Sequence, residues 1–125
     1  MKKLALIAFA AMMILTACTK EETPTLDGTS WYVSKTDSGG RKQTCSLSLR
    51  HNGGGLTVTD SHPTLWNNRY EYTVKSYTFD GTNGTINLQH ANAYTQDGIA
   101  TFRVNDIQSK MYISTPNGSF TLDRR

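Results

Sequence analysis

The stretch CSLSLRHNGGGLTVTD, residues 45–60, contains the pattern that decides the fold. Apolar residues stand at every second position before and after a cluster of glycines. A period of two places one set of side chains on the buried face of a β-strand and the other set in water. Asn52 and the three glycines that follow it tolerate positive φ, which is typical of a tight turn. The stretch therefore predicts a β-hairpin with one face in a core.

The same pattern recurs along the chain. Apolar and polar residues alternate again in residues 69–75 and 100–105, and turn-forming residues separate the alternating stretches. Beyond the amino-terminal segment, no stretch keeps apolar residues at helical spacing over ten residues. We place strands near residues 29–36, 43–51, 55–60, 69–75, 76–80, 84–90, 98–105, 109–115 and 118–123, with the break between the fourth and fifth left open. The count is therefore eight or nine short strands.

These strands, the short loops and the scarcity of helical patterns predict an all-β domain, which we assign to residues 27–125. The favoured architecture is a small antiparallel up-and-down β-barrel, and the alternative is a two-sheet β-sandwich. Closure into a barrel leaves no exposed strand edge, and this favours the barrel.

Alternation also identifies the side chains that face inward. Burial of one large apolar side chain contributes about 1.5–3 kcal/mol, so a set of this size supports a core without a disulfide. Two arrangements remain open. The side chains either line a cavity for an apolar ligand or fill the interior, and eight strands give roughly the size that side chains just fill. The predicted inward set is Trp31, Val33, Cys45, Leu47, Leu49, Leu56, Val58, Tyr70, Tyr72, Val74, Phe79, Ile86, Leu88, Phe102, Val104, Met111, Ile113, Phe120 and Leu122.

The stretch LDGTSWYVSK, residues 26–35, resembles the opening strand of lipocalin-like domains, in which a glycine and a tryptophan begin the barrel. The spacing differs from that family, because two residues instead of one separate Gly28 from Trp31. The chain is also short for a lipocalin, which implies a small cavity or none. In the family an arginine of the last strand packs on the tryptophan. The resemblance thus implies that Arg124 or Arg125 closes the barrel on Trp31 through a cation–π contact, the alternative being a free arginine tail.

Residues 60–68 form a connection of unusual composition, because a histidine, a leucine and a tryptophan lie among its polar residues. Loops often carry function, and an exposed tryptophan beside polar side chains suits the stacking of a ligand. The alternative is that Leu65 and Trp66 plug one end of the barrel. A second long connection, residues 90–97, adds a tyrosine. The candidate ligand-binding residues are His62, Trp66, Tyr70, Tyr72 and Tyr94.

The amino terminus has the features of a secretory signal peptide. Two lysines and then an uncharged apolar run lead to Leu15-Thr16-Ala17-Cys18. The run is shorter than the ~20 residues that cross a bilayer as a helix. Leu15-Thr16-Ala17-Cys18 resembles the lipobox of bacterial lipoproteins, which implies cleavage after residue 17 and acylation of Cys18. Residues 1–17 are therefore assigned to a lipoprotein signal peptide and residues 18–26 to a flexible lipid-anchored tether. The alternative is ordinary cleavage that leaves a free cysteine.

The residues after Cys18 refine the location. Thr19-Lys20-Glu21-Glu22 resembles the surface-export signal of lipoproteins from Bacteroidota, in which a lysine and two acidic residues follow the acylated cysteine. The alternative is a solvated charged linker. Since two or more acyl chains hold a protein firmly on a membrane, we predict an anchored protein of the cell envelope. The outer membrane is the favoured location, and the cell surface is the further destination that the export signal implies.

Charge gives no indication of a nucleic-acid partner. The leader accounts for two of the 13 basic residues, and against ten acidic residues the remaining chain has a formal charge of +1. A nucleic-acid-binding domain usually carries a clear basic excess. Acylation of Cys18 leaves Cys45 without a partner, so we predict no disulfide and expect Cys45 to behave as a small buried apolar residue.

Catalytic patterns are scarce in this chain. It has no pair of acids suited to glycoside chemistry, no nucleophile elbow, no phosphate-binding loop and no metal-ligand spacing among its three histidines. We predict that the protein is not an enzyme and uses no cofactor or metal. Two functions remain open. The barrel binds a small apolar or amphipathic ligand, or the protein is an interaction module that inhibits a hydrolase or serves as an accessory subunit of a surface complex.

Overall fold

A computed structural model describes residues 24–125, so the predicted signal peptide, Cys18 and most of the tether lie outside the described residues. The described chain consists of eight β-strands with no helix. The strands are β1 Thr29–Thr36, β2 Lys42–Arg50, β3 Gly53–His62, β4 Trp66–Phe79, β5 Asn83–His90, β6 Gly98–Val104, β7 Lys110–Thr115 and β8 Gly118–Arg124.

Each strand pairs with the next in antiparallel orientation, and β8 pairs with β1, so that the sheet closes into a barrel. The prediction of a small up-and-down barrel is thereby confirmed, and the two-sheet sandwich is not the fold. Because the strands alternate in direction, the loops collect at two ends. We call the end that holds the amino-terminal segment and the β2–β3, β4–β5 and β6–β7 loops the first end. The opposite end, with the other four loops, is the second end.

The strand count is eight because the predicted fourth and fifth strands are one strand, β4. Its register with β5 shifts between Val74 and Ser76, which leaves Lys75 as the extra residue of a β-bulge. The bulge interrupts the alternation in the sequence without ending the strand. A second difference concerns residues 60–68, predicted as a loop. In the structure the β3–β4 ladder continues to a pair between His62 and Trp66. The sequence did not reveal this extension, because polar side chains occupy both faces of the hairpin there and hide the period of two.

The core contains buried apolar side chains from all eight strands, and nearly all of the predicted inward set belongs to it. Val33, Tyr70 and Phe79 are only partly buried and pack against its margin. The sequence prediction omitted Leu26 and Ala100. The buried set is Leu26, Trp31, Cys45, Leu47, Leu49, Leu56, Val58, Tyr72, Val74, Ile86, Leu88, Ala100, Phe102, Val104, Met111, Ile113, Phe120 and Leu122.

Leu26, predicted as the last residue of the tether, is fully buried at the first end. Its carbonyl accepts the backbone N–H of Thr29 at 3.1 Å and the Thr29 hydroxyl at 2.6 Å, which closes a turn before β1. Gly28 occupies this turn with φ +80°, a conformation that favours glycine, and its N–H donates to the carbonyl of Leu49 at 2.7 Å. The packed structure therefore begins before the predicted domain boundary.

The barrel closes through a short seam. Only Trp31↔Arg124 and Tyr32↔Asp123 are in register between β1 and β8, whereas β1 and β2 are paired from Thr29 to Thr36. The backbone N–H of Arg125 adds a bond of 2.8 Å to the carbonyl of Ser30. The backbone pairing of the seam thus lies near the first end. Farther along β1, toward the second end, the ammonium of Lys35 lies 5.9 Å from the ring centroid of Phe120.

Candidate functional site

The interior of the barrel is filled by side chains. Each residue of the buried apolar set is at most 5% exposed, and the set forms one cluster that runs through all eight strands. A wide internal cavity would leave part of each of these side chains accessible to water. Of the two arrangements left open by the sequence, the structure shows the filled interior.

Tyr72 and Tyr70 belong to this packing rather than to an open pocket. The Tyr72 ring is buried, and its hydroxyl donates to Oδ1 of Asn117 in the β7–β8 turn. Desolvation is the main cause that raises the pKa of Tyr72 above its ordinary value, and the neighbouring Tyr70 is a second, smaller cause. Tyr70 is half-buried against the core margin. The two tyrosines therefore close the second end and tie β4 to a neighbouring turn.

Trp66 lies at the start of β4 in a polar group that we call the hairpin cluster, formed by Arg41, Asp60, His62 and Trp66. Arg41 donates from Nε and Nη2 to the two oxygens of Asp60, at 2.9 and 2.8 Å. The indole Nε1 of Trp66 donates to the same carboxylate at 3.1 Å. The hydrogen bond from Arg41 is the main reason that the pKa of Asp60 lies below its ordinary value.

Two members of the same cluster lie beside the indole ring of Trp66. The guanidinium of Arg41 lies 6.0 Å from its ring, and the ring of His62 lies 5.0 Å away. Trp66 is nevertheless 37% exposed, and Leu65 at the hairpin tip is 70% exposed. The plug hypothesis for Leu65 and Trp66 is therefore wrong, because the long β3–β4 hairpin holds these side chains outside the core.

Tyr94 lies in the β5–β6 loop, which is fastened to the side of β4. Asn92 donates from Nδ2 to the carbonyl of Arg69 at 2.8 Å, and the Thr95 hydroxyl donates to the carbonyl of Glu71 at 3.0 Å. Tyr94 itself is 74% exposed. The five predicted ligand-binding residues thus lie at the second end but in three separate settings, which are the hairpin cluster, the core with its margin, and this loop.

The pair implied by the lipocalin resemblance is present at the seam. The guanidinium of Arg124 lies 5.8 Å from the ring centroid of Trp31, while Arg125 lies over Tyr32 at 4.1 Å. Trp31 is fully buried, and its Nε1 donates to the hydroxyl of Thr29 at 2.9 Å. The pair packs the first end and is not open to a ligand.

A cluster that sequence reasoning missed holds the amino-terminal segment. Tyr77 donates its hydroxyl proton to Asp27 and accepts the backbone N–H of Leu26 at 3.0 Å, with the Thr25 hydroxyl 3.1 Å away. His51 lies 3.4 Å from the same Asp27 carboxylate. The Tyr77 hydrogen bond is the main cause that lowers the pKa of Asp27, and desolvation is the main cause that raises the pKa of Tyr77. We call Thr25, Asp27, His51 and Tyr77 the N-terminal clamp.

A second missed feature is an open groove of about 860 Å³ that is lined by residues of β4–β8 and by Lys35 of β1. A row of hydroxyl side chains crosses this groove. Each residue of the row is paired in register with the row's next residue on the neighbouring strand. Thr78 and Thr85 already bond each other at 2.8 Å, and Arg103 covers the ring of Tyr112 at 5.3 Å. Only knowledge of the register could have revealed this row, which consists of Thr78, Thr85, Thr101, Ser114 and Ser119.

Two observations concern metal binding and thiol chemistry in the described residues. Between residues 24 and 125, no three or more His, Cys, Asp or Glu side chains are grouped in a way that could hold a metal ion. Desolvation raises the pKa of the buried Cys45 thiol to about 12, so it is not a nucleophile at neutral pH. In the same part of the chain, no helix has the length and apolar character needed to span a bilayer.

No protein-family model matches this chain, and comparisons with curated proteins and with solved structures give no match either. The class of protein is therefore defined by its fold, which is a small, closed, eight-stranded antiparallel barrel with a filled interior.

Proposed function

We propose that the protein is a lipid-anchored, non-enzymatic interaction module of the cell envelope, and that its second end receives a protein partner. The observation that supports this most directly is the filled interior. A small apolar ligand held inside the barrel needs an enclosed cavity, and pockets for such ligands usually exceed about 300 Å³. With the inner side chains at most 5% exposed, the outer surfaces are the parts of the barrel that are open to a partner.

The second end has the composition of an interaction surface. Its loops present Leu65 and Tyr94, which are among the most exposed large apolar side chains of the described chain, beside the partly exposed Trp66. Aromatic residues are enriched at the centres of protein interfaces. Three such residues at one end therefore favour a protein partner, and their setting is consistent with an inhibitor or an accessory subunit.

These exposed side chains are held by ordered supports. The bidentate contact between Arg41 and Asp60 fixes the β3–β4 hairpin beneath Leu65 and Trp66. Backbone carbonyls of β4 fix the loop that carries Tyr94, through Asn92 and Thr95. A surface that is already ordered loses less conformational entropy when it binds, which increases affinity.

The proposed location rests on the amino-terminal sequence. The lipobox-like residues before Cys18 support a permanent membrane anchor, and Thr19-Lys20-Glu21-Glu22 supports the outer membrane and export to the cell surface. With the tether at the first end, the second end is the one that is distant from the anchor.

Native mass spectrometry of the protein, isolated from its own membranes in mild detergent, tests the proposal. We expect a protein partner to remain bound to the wild type. The amount of bound partner should fall about tenfold in the double variant Leu65→Ser/Tyr94→Ser, since truncation of an anchor residue typically costs 1–2 kcal/mol or more of binding free energy. Ile99→Ser is the matched control, because Ile99 is an exposed apolar residue on the wall of β6. A bound small molecule in place of a protein, or equal partner retention by the double variant, would contradict the proposal.

A further inference from the structure

The first end of the barrel fixes where the tether leaves the folded domain. The N-terminal clamp holds Thr25 and Leu26 on the Tyr77 hydroxyl, and Leu26 is buried beneath them. Pro24 continues past the β4–β5 turn, where its ring lies 3.8 Å from the position that a Cβ atom on Gly81 would take. The chain therefore leaves the barrel beside the β4–β5 turn.

The distance from this exit to the predicted anchor is short. Seven residue steps separate Thr25 from Cys18. A fully extended chain spans at most about 3.3–3.6 Å per residue, so the tether reaches roughly 25 Å. If Cys18 is acylated, as the proposed function requires, the clamp cannot lie farther than this from the membrane surface.

The β6–β7 loop at the same end exposes an isoleucine. Ile107 is 80% exposed, the largest value among the exposed apolar residues of the described chain. Its loop is ordered, because Oδ1 of Asn105 accepts the backbone N–H groups of Ser109 and Lys110 at 2.8 and 2.9 Å. The adjoining Val104 N–H donates to the carbonyl of Thr82 at 2.8 Å. This bond connects the loop to the β4–β5 turn that the tether passes.

We infer that the first end lies against the phospholipid bilayer, with the Ile107 side chain in the interfacial region of the membrane. Transfer of this side chain out of water is favourable, and the tether keeps the loop within reach of the lipid. Charges at this end are mixed, with Arg50, Arg124 and Arg125 opposed by Asp27, Asp80 and Asp106. The contact is therefore apolar in origin, and it forms on neutral phosphatidylcholine as well as on anionic lipid.

Site-specific labelling of the mature lipoprotein tests this orientation. In the Ile107→Cys variant, the introduced cysteine is labelled with an environment-sensitive fluorophore. The labelled protein is then incorporated into vesicles of phosphatidylcholine that contain bromine-substituted lipid as a quencher. Leu65→Cys, labelled in the same way at the second end, is the matched control. Cys45 is buried and does not compete for the label in the folded protein. We expect strong quenching and a blue shift at position 107, no quenching at position 65, and no loss of either effect in high salt.

The outcomes separate this inference from the proposal on which it rests. Protein that does not float with the vesicles contradicts the lipid anchor. Protein that floats with the label at position 107 unquenched, or with both positions quenched equally, contradicts the orientation. Quenching that salt removes would show that charge rather than the apolar side chain makes the contact, and this too would overturn the inference.

Discussion

Arg124 lies across the barrel seam from Trp31, with its guanidinium 5.8 Å from the centroid of the indole ring. The two residues form one of only two registered pairs between β8 and β1. Nη1 of Arg124 also approaches Oε1 of Gln108 at 3.1 Å, so the side chain links the seam to the β6–β7 loop. The closure of the barrel therefore depends on a contact that involves the last strand of the chain.

Replacement of Arg124 by alanine should weaken this closure. We expect a loss of about 0.5–2 kcal/mol in the free energy of unfolding, because the cation–π contact with the buried Trp31 is removed. Arg125→Ala is the control, since its partner Tyr32 is on the outside of the barrel. Urea unfolding of both variants measures the difference. An Arg124→Ala protein that is as stable as the wild type would show that the seam does not depend on this pair.

Substitution of Gly84 by alanine should destabilise the barrel wall. A Cβ atom at this position would overlap the ring of Phe102 and the backbone carbonyl of Thr78, and the Phe102 ring is itself stacked on Phe79 at 6.0 Å. Overpacking of this kind typically costs about 1–3 kcal/mol.

Gly55→Ala provides the control for this substitution. The atom nearest to its Cβ would be the carbonyl oxygen of Tyr72 at 3.8 Å, an ordinary contact. We expect a change of less than about 0.5 kcal/mol at this site. Thermal unfolding of the two variants compares them. A Gly84→Ala protein as stable as Gly55→Ala would contradict the packing described for Phe102.

Replacement of Tyr77 by phenylalanine should reduce stability at neutral pH more than in acid. The pKa of Asp27 is lowered from 3.8 chiefly by the Tyr77 hydrogen bond. The stabilisation linked to this carboxylate is present above the unfolded pKa and is lost as the pH falls through the lower folded pKa. Urea unfolding at neutral pH, with Asp27 ionised, and at about pH 2, with Asp27 protonated, measures the loss of stability caused by Tyr77→Phe in each state. A deficit that is the same at both values would mean that Asp27 is not coupled to Tyr77.

Cys45 should be protected from thiol reagents in the folded protein. In a Cys18→Ser variant it is the remaining thiol, and its burial and raised pKa of about 12 both disfavour reaction. We expect labelling to be more than about a hundredfold slower in buffer than in urea, because reaction requires opening of the core. A cysteine introduced at the exposed Leu65 should react at once. Rapid native labelling of Cys45 would indicate a loosely packed barrel.

The sequence was sufficient for the parts of the fold in which one face of each strand is buried. Strands such as β2 and β7 place apolar residues in the core and polar residues in water, so the period of two is visible. This contrast disappears in two places. The prediction left the break within β4 open, and it was wrong in taking residues 60–68 as a loop. Lys75 inserts a bulge into β4, and residues 60–68 carry polar side chains on both faces of a hairpin.

The candidate sites were less predictable than the strands, because they depend on contacts between distant parts of the chain. Trp66 was identified as unusual from its neighbours, but its partner Arg41 comes from a different hairpin. Tyr77 is fifty positions from Asp27, and no local pattern connects them. The hydroxyl row on β4–β8 exists only through the register of five strands. Long-range register of this kind is not encoded in any short motif.

The intact mass of the protein isolated from its own cell envelope is the decisive measurement, because the membrane anchor determines both the location and the orientation that we propose. We predict a chain that begins at residue 18 and carries the added mass of a diacylglyceryl group, with or without a further acyl chain. A chain that begins elsewhere, or one whose mass equals that of the unmodified residues 18–125, would contradict it.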